Sequence, residues 1–226
     1  MKVYQIEVSN RCNLRCTYCP HPVQTRAKGF MTIETFALAL ELTKRCGQDS
    51  AYLHNFGEPL LHPRLPDMIR MSLAVGIEPS FYTNGALMNA DNLRELEEAG
   101  LRTIWLSEHT EGELDRVSRL IHDQGSSIRI AGNFKPEPNA LHDWASQVAT
   151  VPLSLGPSHA IEPCLFERQN AVVVLWDGSV TNCCIDANGQ GIRGTVADYL
   201  DNEQNYNFEP IPLCNGCTLM RTPEEL

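Results

Sequence analysis

Residues 12–19 read Cys-Asn-Leu-Arg-Cys-Thr-Tyr-Cys. They place three thiols close together, at Cys12, Cys16 and Cys19, directly after an apolar run at 3–8 that has the composition of a β-strand. Three thiolates this close can converge on one metal centre. A structural zinc site normally closes with a fourth protein ligand, whereas three protein ligands leave one coordination position open. The stretch therefore predicts a metal centre whose open position binds a further group.

The cysteine spacing has the form C-x3-C-x-aromatic-C, with Tyr18 as the aromatic residue. This form resembles the cluster-binding loop of the radical S-adenosylmethionine (SAM) superfamily, which also follows a first strand. The resemblance implies a [4Fe–4S] cluster held at three irons by Cys12, Cys16 and Cys19, with Tyr18 beside the cofactor. It further implies that the fourth iron binds the amino and carboxylate groups of SAM.

Composition narrows the class of protein. A chain of 226 residues can bury a sizeable core, and its formal charge of −10 comes without any basic cluster, which argues against nucleic-acid binding. No apolar run approaches the ~20 residues of a membrane span, and the first residues lack a signal-peptide pattern. We therefore expect a cytoplasmic protein without a membrane partner. In that compartment, nine cysteines indicate metal binding rather than disulfides.

Short apolar runs alternate with helical stretches from residue 1 to about 155. Strands are predicted at 3–8, 51–56, 77–82, 103–107, 127–131 and 151–155, with helices between them that include one at 140–148. Such repeats favour a parallel sheet covered by helices, and six are too few for a closed barrel of eight strands. The sequence predicts an α/β fold, a partial (β/α)6 TIM-like barrel, which is similar to radical SAM domains.

Polar residues stand at the ends of these predicted strands, where the chemistry of such folds gathers. Gly-Glu-Pro after the second strand resembles the family motif whose backbone and acid hold the SAM amino group. Thr-Asn-Gly after the third strand resembles a second motif, and polar residues at the next two ends resemble contacts to the SAM ribose or carboxylate. The resemblance thus assigns SAM contacts to Gly57, Glu58, Pro59, Thr83, Asn84, Ser107 and Asn133.

Two further side chains are predicted to act on the substrate. His109 follows the fourth strand, where many relatives carry Leu-Asp, and a pKa near neutrality suits a proton acceptor; the other reading is a hydrogen-bonded surface histidine. Alternation along the fifth strand places Arg129 on the same face as Asn133. If that face points inward, Arg129 either binds the substrate or forms an ion pair with an acidic residue of the core.

The alternation of predicted strands and helices ends at residue 156. Five of the six remaining cysteines lie beyond this point, and Asp177-Gly178 between two β-branched runs predicts a hairpin. The hairpin would bring Cys183 near Cys164, and a C-x2-C pair follows near the end. Four thiols suit either zinc or an iron–sulfur cluster, so spacing alone leaves both open. The predicted ligands are Cys164, Cys183, Cys214 and Cys217.

The tail also resembles the twitch domain, a shortened relative of the SPASM domain, and this resemblance favours a second [4Fe–4S] cluster. In that interpretation Cys183 is the ligand and Cys184 its buried neighbour. The chain would then consist of a radical SAM partial barrel at 1–155 and a small β-hairpin-plus-helix cluster domain at 156–226.

The resemblance implies a radical mechanism. A flavodoxin or ferredoxin-type donor supplies an electron to the first cluster, and SAM is cleaved to methionine and a 5′-deoxyadenosyl radical that takes a hydrogen atom from the substrate. A second cluster with four protein ligands has no open iron, so we expect it to accept an electron. The predicted reaction is a two-electron oxidation of a small polar molecule. In architecture the chain is similar to the twitch-type amino-cyclitol dehydrogenases of aminoglycoside biosynthesis.

Two other hypotheses stay open. One is a radical rearrangement or bond-forming modification of a peptide, a nucleoside or a nucleic acid. The other is a non-catalytic, zinc-binding interaction protein.

Overall fold

The computed structural model describes residues 1–135, 144–145, 147–148, 164–201 and 206–217. Within these residues, two four-stranded sheets form the framework. The strands are β1 (Lys2–Ile6), β2 (Ser50–Tyr52), β3 (Glu78–Thr83), β4 (Thr103–Ser107), β5 (Arg129–Phe134), β6 (Ala171–Val174), β7 (Ser179–Thr181) and β8 (Ile192–Thr195). The helices are α1 (Ile33–Arg45), α2 (Leu65–Ala74), α3 (Ala90–Glu98), α4 (Glu113–Asp123), α5 (Leu165–Gln169) and α6 (Val196–Asp201).

One sheet has the order β2-β3-β4-β5 and is parallel throughout. Its strands correspond to the second to fifth predicted strands, and the helices between them connect strand to strand as the repeat pattern predicts. The buried core residues include Phe36 of α1, Met68 of α2 and Phe81 of β3. The prediction of an α/β fold with a parallel sheet is therefore confirmed.

Local sequence explains where the main helices begin and end. Thr32 caps α1 by accepting a hydrogen bond from the backbone N–H of Thr35, and Asn89 forms a capping box with Asn92 at the start of α3. Gly47 and Gly76 follow α1 and α2 with φ of +73° and +74°, a conformation that suits glycine at a helix end. No helix in the described part of the chain is long and apolar enough to cross a membrane.

The second sheet joins the first strand to the tail. Its order is β1-β6-β7-β8, with β1 and β6 parallel and the other pairs antiparallel. The hairpin predicted at Asp177-Gly178 is present as β6 and β7. The pairing of β1 with β6 was not predicted, because it links residues that are far apart in sequence. Strand β1 also lies beside β2, where the Gln48 side chain hydrogen-bonds the backbone N–H and C=O of Val3 at 2.6 and 2.9 Å.

A buried ion pair fixes the tail against the barrel. Glu7 is fully buried and receives two hydrogen bonds from the Arg26 guanidinium, at 2.8 and 2.9 Å. Arg26 also donates to the backbone oxygen of Ala187 at 2.9 Å, and the backbone N–H of Trp176 donates to Glu7 at 3.4 Å. Because Ala187 and Trp176 belong to the tail, this pair connects the tail to the chain on both sides of the cysteine loop.

The helix predicted at 140–148 is wrong where the structure describes it. Trp144 and Ala145 have φ of 52° and 55°, in the left-handed region, and lie in a turn. The Trp144 indole instead donates to the backbone oxygen of Tyr18 at 2.8 Å and packs 5.6 Å from the ring of Phe56. A tertiary contact thus overrides helix propensity. The rest of this segment and the strand predicted at 151–155 lie outside the described residues.

Candidate active site

A cavity of about 510 Å³ opens where the cysteine loop meets the carboxyl ends of the parallel strands. Ten of the predicted site residues line it: Cys12, Cys16, Tyr18, Cys19, Gly57, Glu58, Thr83, Asn84, Ser107 and His109. The fold therefore gathers the three loop thiols and the strand-end groups around one space.

The cysteine loop is partly buried. Burial raises the pKa of Cys12 and raises the pKa of Cys19 to about 11. The Asn84 amide approaches the Cys12 sulfur at 3.9 Å and donates to the Asn13 side chain at 2.9 Å. Metal binding requires thiolates, so loading this site must release protons from thiols that the folded chain holds protonated. Among the described residues no three such side chains are placed to hold a single metal ion, but three thiols at the wall of one cavity have the chemistry that a larger iron–sulfur cluster with three protein ligands requires.

Gly57 allows the loop after β2 to approach the cysteine loop. Its φ is +121°, and a Cβ atom there would lie 2.4 Å from the backbone oxygen of Ser9. The next residue, Glu58, donates its backbone N–H to the oxygen of Arg11 at 2.7 Å. A glycine is required at this point because both the backbone conformation and the close contact exclude a side chain.

The Glu58 carboxylate connects the ends of β2 and β3. It accepts hydrogen bonds from the Thr83 hydroxyl at 2.8 Å and from the backbone N–H groups of Leu60 and Asn84 at 3.0 and 2.8 Å. Its side chain is almost fully buried, and this burial raises the pKa of Glu58 to about 7 despite the three donors. One carboxylate oxygen accepts two of these bonds and the other only one. The second oxygen can still accept from a ligand ammonium. Pro59 is buried at the start of a short 3-10 turn and does not line the cavity.

His109 contacts the cysteine loop. Its Nδ1 atom is hydrogen-bonded to the hydroxyl of Tyr18, the residue before the third loop cysteine. Burial lowers the pKa of His109 below its usual value, so the ring is neutral near pH 7. A neutral imidazole held in the cavity wall by one nitrogen can exchange a proton through the other.

Asn133 and Arg129 do not occupy the predicted positions. Both side chains are exposed and neither lines the cavity, and Asn133 instead donates to Glu108 at 3.2 Å. The pairing of β4 with β5 is irregular, since Ile104 faces Ile130 but Trp105 faces Gly132. The extra residue in β5 breaks the alternation, so that Arg129 lies opposite Thr103 and Asn133 opposite Leu106, on different faces of the sheet. The prediction that Arg129 shares a face with Asn133 is therefore wrong, and neither side chain lines the cavity.

The tail cysteines surround a second, smaller cavity of about 70 Å³. It is lined by all five of them: Cys164, Cys183, Cys184, Cys214 and Cys217. Burial raises the pKa of Cys183 and raises that of Cys184 to about 12. A short 3-10 helix at Pro212–Gly216 presents the final C-x2-C pair. Cys184 also lines the larger cavity, so the two cavities meet at this residue.

Sequence reasoning missed several polar residues of the larger cavity. Gln5, His54 and Asn55 line its β1–β2 side, and they belong to none of the recognised motifs. The available signal was a polar residue inside the first apolar run and two polar residues near the end of the second predicted strand.

Comparison with known proteins relates this geometry to other chains. A crystal structure described as BtrN in complex with AdoMet and 2-DOIA has a TM-score of 0.70, at 21% identity, over 90% of this chain and 83% of that one. This likeness confirms the partial-barrel fold.

Curated relatives match over different shares of their length. A tungsten-containing aldehyde ferredoxin oxidoreductase cofactor-modifying protein of Pyrococcus furiosus is 32% identical over 47% of this chain and 30% of its own. A GTP 3′,8-cyclase of Chlorobaculum tepidum is 37% identical over 61% and 39%, so the chain spans about a third of the length of these two relatives. An S-adenosyl-L-methionine-dependent 2-deoxy-scyllo-inosamine dehydrogenase of Niallia circulans is 25% identical over 86% of this chain and 78% of its own.

A family model covers most of the residues that line the larger cavity. Residues 6–127 match the model of the Radical SAM superfamily, a range that includes the cysteine loop, Glu58 and His109. The match extends over more than half of the 226 residues. With its three-cysteine loop at the strand ends of a partial barrel, the chain belongs to the radical SAM superfamily.

Proposed function

We propose that the protein is a radical SAM enzyme that oxidises a small polar alcohol by two electrons. The observation that carries this proposal is the pair of adjoining cavities, one lined by three loop cysteines and the other by five tail cysteines. Family membership implies SAM and a [4Fe–4S] cluster. The Niallia circulans relative, a dehydrogenase of an aminocyclitol, supports an alcohol as the substrate.

Cys12, Cys16 and Cys19 would hold the first cluster, and Glu58 would accept a hydrogen bond from the SAM amino group through its less occupied oxygen. When bound, SAM and this cluster supply a 5′-deoxyadenosyl radical able to take a hydrogen atom from carbon. The contribution of Thr83 and Asn84 is to hold the Glu58 carboxylate and the cysteine loop in place. Ser107, in the same wall, is a further SAM contact in this proposal.

His109 receives the proton in the proposed reaction. In the tautomer that carries its proton on Nδ1, His109 donates to the Tyr18 oxygen and keeps Nε2 free to accept. With the C–H hydrogen atom taken by the chemistry that bound SAM would supply, His109 would accept the O–H proton of the alcohol. One electron remains to be removed as the carbonyl forms. Tyr18 positions the His109 ring and therefore aligns the acceptor with the cysteine loop.

The remaining electron leaves through the tail in this proposal. Cys164, Cys183, Cys214 and Cys217 would hold a second cluster, which when bound supplies an electron acceptor. Cys184 would separate it from the substrate cavity. The proposal keeps the division of the chain into 1–155 and 156–226, with the β1–β6 pairing joining the two parts. A flavodoxin or ferredoxin would deliver the electron that starts each turnover.

Metal content and product analysis test the proposal. Anaerobically reconstituted protein should contain about eight irons per chain, as expected for two [4Fe–4S] clusters. With SAM, a reductant and an aminocyclitol, it should form 5′-deoxyadenosine and a product lighter by about two mass units, since two hydrogens are removed. Cys214→Ala should lower the iron content by about half and abolish the oxidised product. Cys46→Ala is the matched control, because Cys46 ends α1 outside both cavities.

The same measurements separate the alternatives. Zinc without iron would contradict the proposal and favour a zinc-binding interaction protein. Oxidised product from Cys214→Ala at the rate of the parent protein would contradict the role of the tail as electron acceptor.

A further inference from the structure

Three polar side chains line the β1–β2 side of the larger cavity and take no part in holding the cysteine loop or the Glu58 carboxylate. They are Gln5 on β1 and, one residue beyond the end of β2, His54 and Asn55, and each is only partly exposed. Their hydrogen-bond partners determine which groups they present to a ligand.

The backbone fixes the tautomer of His54. The N–H of Tyr82 can only donate, and it points to His54 Nδ1 at 3.3 Å, so this nitrogen accepts. Burial lowers the pKa of His54 to about 3, which keeps the ring neutral. A neutral imidazole carries one proton, and that proton must then be on Nε2. His54 therefore requires an acceptor at Nε2.

The side-chain amide of Gln5 is the group at that position. Its Nε2 lies 3.0 Å from His54 Nε2, which would set two donors against each other, and its Oε1 would be buried without a partner. A 180° flip of the Gln5 amide removes both problems, because Oε1 then accepts a hydrogen bond from the N–H at His54 Nε2. After the flip, the NH2 group of Gln5 occupies the position that Oε1 had before.

Asn55 adds a second donor. Its Nδ2 atom is buried and has no hydrogen-bond partner among the described residues. An unsatisfied buried donor costs about 1–3 kcal/mol, so an oxygen of a ligand is the expected partner. The cavity wall thus carries two carboxamide donors, oriented by a neutral histidine.

Charge limits the class of ligand further. No lysine or arginine lines this cavity in the part of the chain that the structure describes, and its one carboxylate, Glu58, is already bound by three donors. A phosphate or carboxylate group of a substrate would be desolvated there without a cation to pair with it, whereas the SAM carboxylate would bind the iron of the cluster. The neighbouring ring of Tyr82, 4.9 Å from that of His54, offers instead a surface for the C–H groups of a ring.

We propose that Gln5, His54 and Asn55 form the substrate subsite and select a cyclic polyol or aminocyclitol that carries no phosphate or carboxylate group. The NH2 groups of Gln5 and Asn55 donate to hydroxyl oxygens of the ring, and His54 holds the Gln5 amide in the donating orientation. This inference rests on the proposed function and names the substrate class of the same site.

Binding measurements on the loaded protein test the subsite. The probes are 2-deoxy-scyllo-inosamine, inositol and inositol monophosphate, added anaerobically to cluster-loaded protein with SAM and followed by saturation-transfer NMR and equilibrium dialysis. Inositol or the aminocyclitol should bind, and the phosphate ester should bind at least about tenfold more weakly because its charge has no partner. Equal or tighter binding of the phosphate ester, or failure of both unphosphorylated probes to bind, overturns the proposed class.

Two nearly isosteric variants test the named residues. Gln5→Glu keeps an acceptor for His54 but replaces the NH2 donor, and Asn55→Asp does the same at the second position. Each variant should bind inositol or the aminocyclitol, whichever the parent protein binds, about tenfold more weakly, the effect of losing one hydrogen bond in a buried site. Gln124→Glu is the matched control, because Gln124 is exposed after α4. Thermal melts identify any variant that fails to fold.

The result distinguishes this inference from the proposed function. If the parent protein forms no 5′-deoxyadenosine with SAM and a reductant, the proposed function fails. If it does form 5′-deoxyadenosine, but both variants bind the probes as the control does, only the subsite is overturned.

Discussion

The buried ion pair between Glu7 and Arg26 gives the most quantitative stability prediction. In Arg26→Met, Glu7 loses the two guanidinium donors at 2.8 and 2.9 Å and keeps only the backbone N–H groups of Phe56 and Trp176, both at 3.4 Å. Removing one partner of a buried pair leaves an uncompensated charge and costs about 3–5 kcal/mol. The lost bond from Arg26 to Ala187 adds to this cost by freeing the tail.

The sign of the pH dependence follows from the same contacts. Burial raises the pKa of Glu7, and Arg26 opposes this rise. Removing Arg26 therefore raises the pKa of the folded state further above that of the unfolded chain. Such a group favours folding at low pH, where Glu7 is protonated, and loses this contribution as pH rises through the folded pKa. Arg26→Met should consequently lose more stability at about pH 8 than at about pH 5.5.

Urea unfolding followed by tryptophan fluorescence measures both effects. Arg94→Met is the control, because the Arg94–Asp91 pair is exposed (61% and 85%) and should contribute less than about 1 kcal/mol. Adding Glu7→Gln to Arg26→Met should restore part of the stability, since it removes the unpaired charge. A loss at Arg26 no larger than that of the control, or an equal loss at both pH values, would refute the reasoning.

Three further predictions concern the larger cavity. Gly57→Ala should weaken SAM binding at least about tenfold, since its Cβ would overlap the Ser9 oxygen; in equilibrium dialysis, Gly47→Ala, which has positive φ but no atom within 4 Å of the added Cβ, should bind normally. Because the pKa of Glu58 is raised to about 7, SAM binding should tighten about tenfold from pH 6 to pH 8, and a Glu58→Gln variant with the full dependence would contradict this. His109→Phe should lose oxidised product while still forming 5′-deoxyadenosine. At saturating SAM, the rate of the parent protein should persist as the pH is lowered to below about 6.5, because the pKa of His109 is lowered. A rate at saturating SAM that already falls on acidification above that pH would contradict the assignment of His109.

The sequence predicts those features that depend on local pattern. The Asp177-Gly178 turn forms a hairpin as predicted, and most of the strand-end motif residues line one cavity with the cysteine loop. Each of these depends on a few adjacent residues, or on the rule that parallel strands present their carboxyl ends at one edge.

The features that the sequence does not predict depend on long-range register. The irregular pairing of β4 and β5 puts Arg129 and Asn133 on different faces of the sheet, and alternation within one strand carries no information about such a shift. The contact of the Glu7–Arg26 ion pair with the tail depends on the pairing of β1 with β6, which local sequence patterns do not predict. In the first predicted strand, Gln5 and Glu7 alternate with apolar residues. This alternation was the available sign that one face of the strand contacts polar groups.

Formation of 5′-deoxyadenosine tests the central claim most directly. Anaerobically reconstituted parent protein, Cys12→Ala and Cys46→Ala would each be incubated with SAM and dithionite, and the nucleoside quantified by mass spectrometry. The parent protein and Cys46→Ala should form it at similar rates, and Cys12→Ala should form none, because Cys12 lines the larger cavity and Cys46 does not. Formation of 5′-deoxyadenosine by Cys12→Ala at the rate of the parent protein would contradict the assignment of this loop as the centre that cleaves SAM.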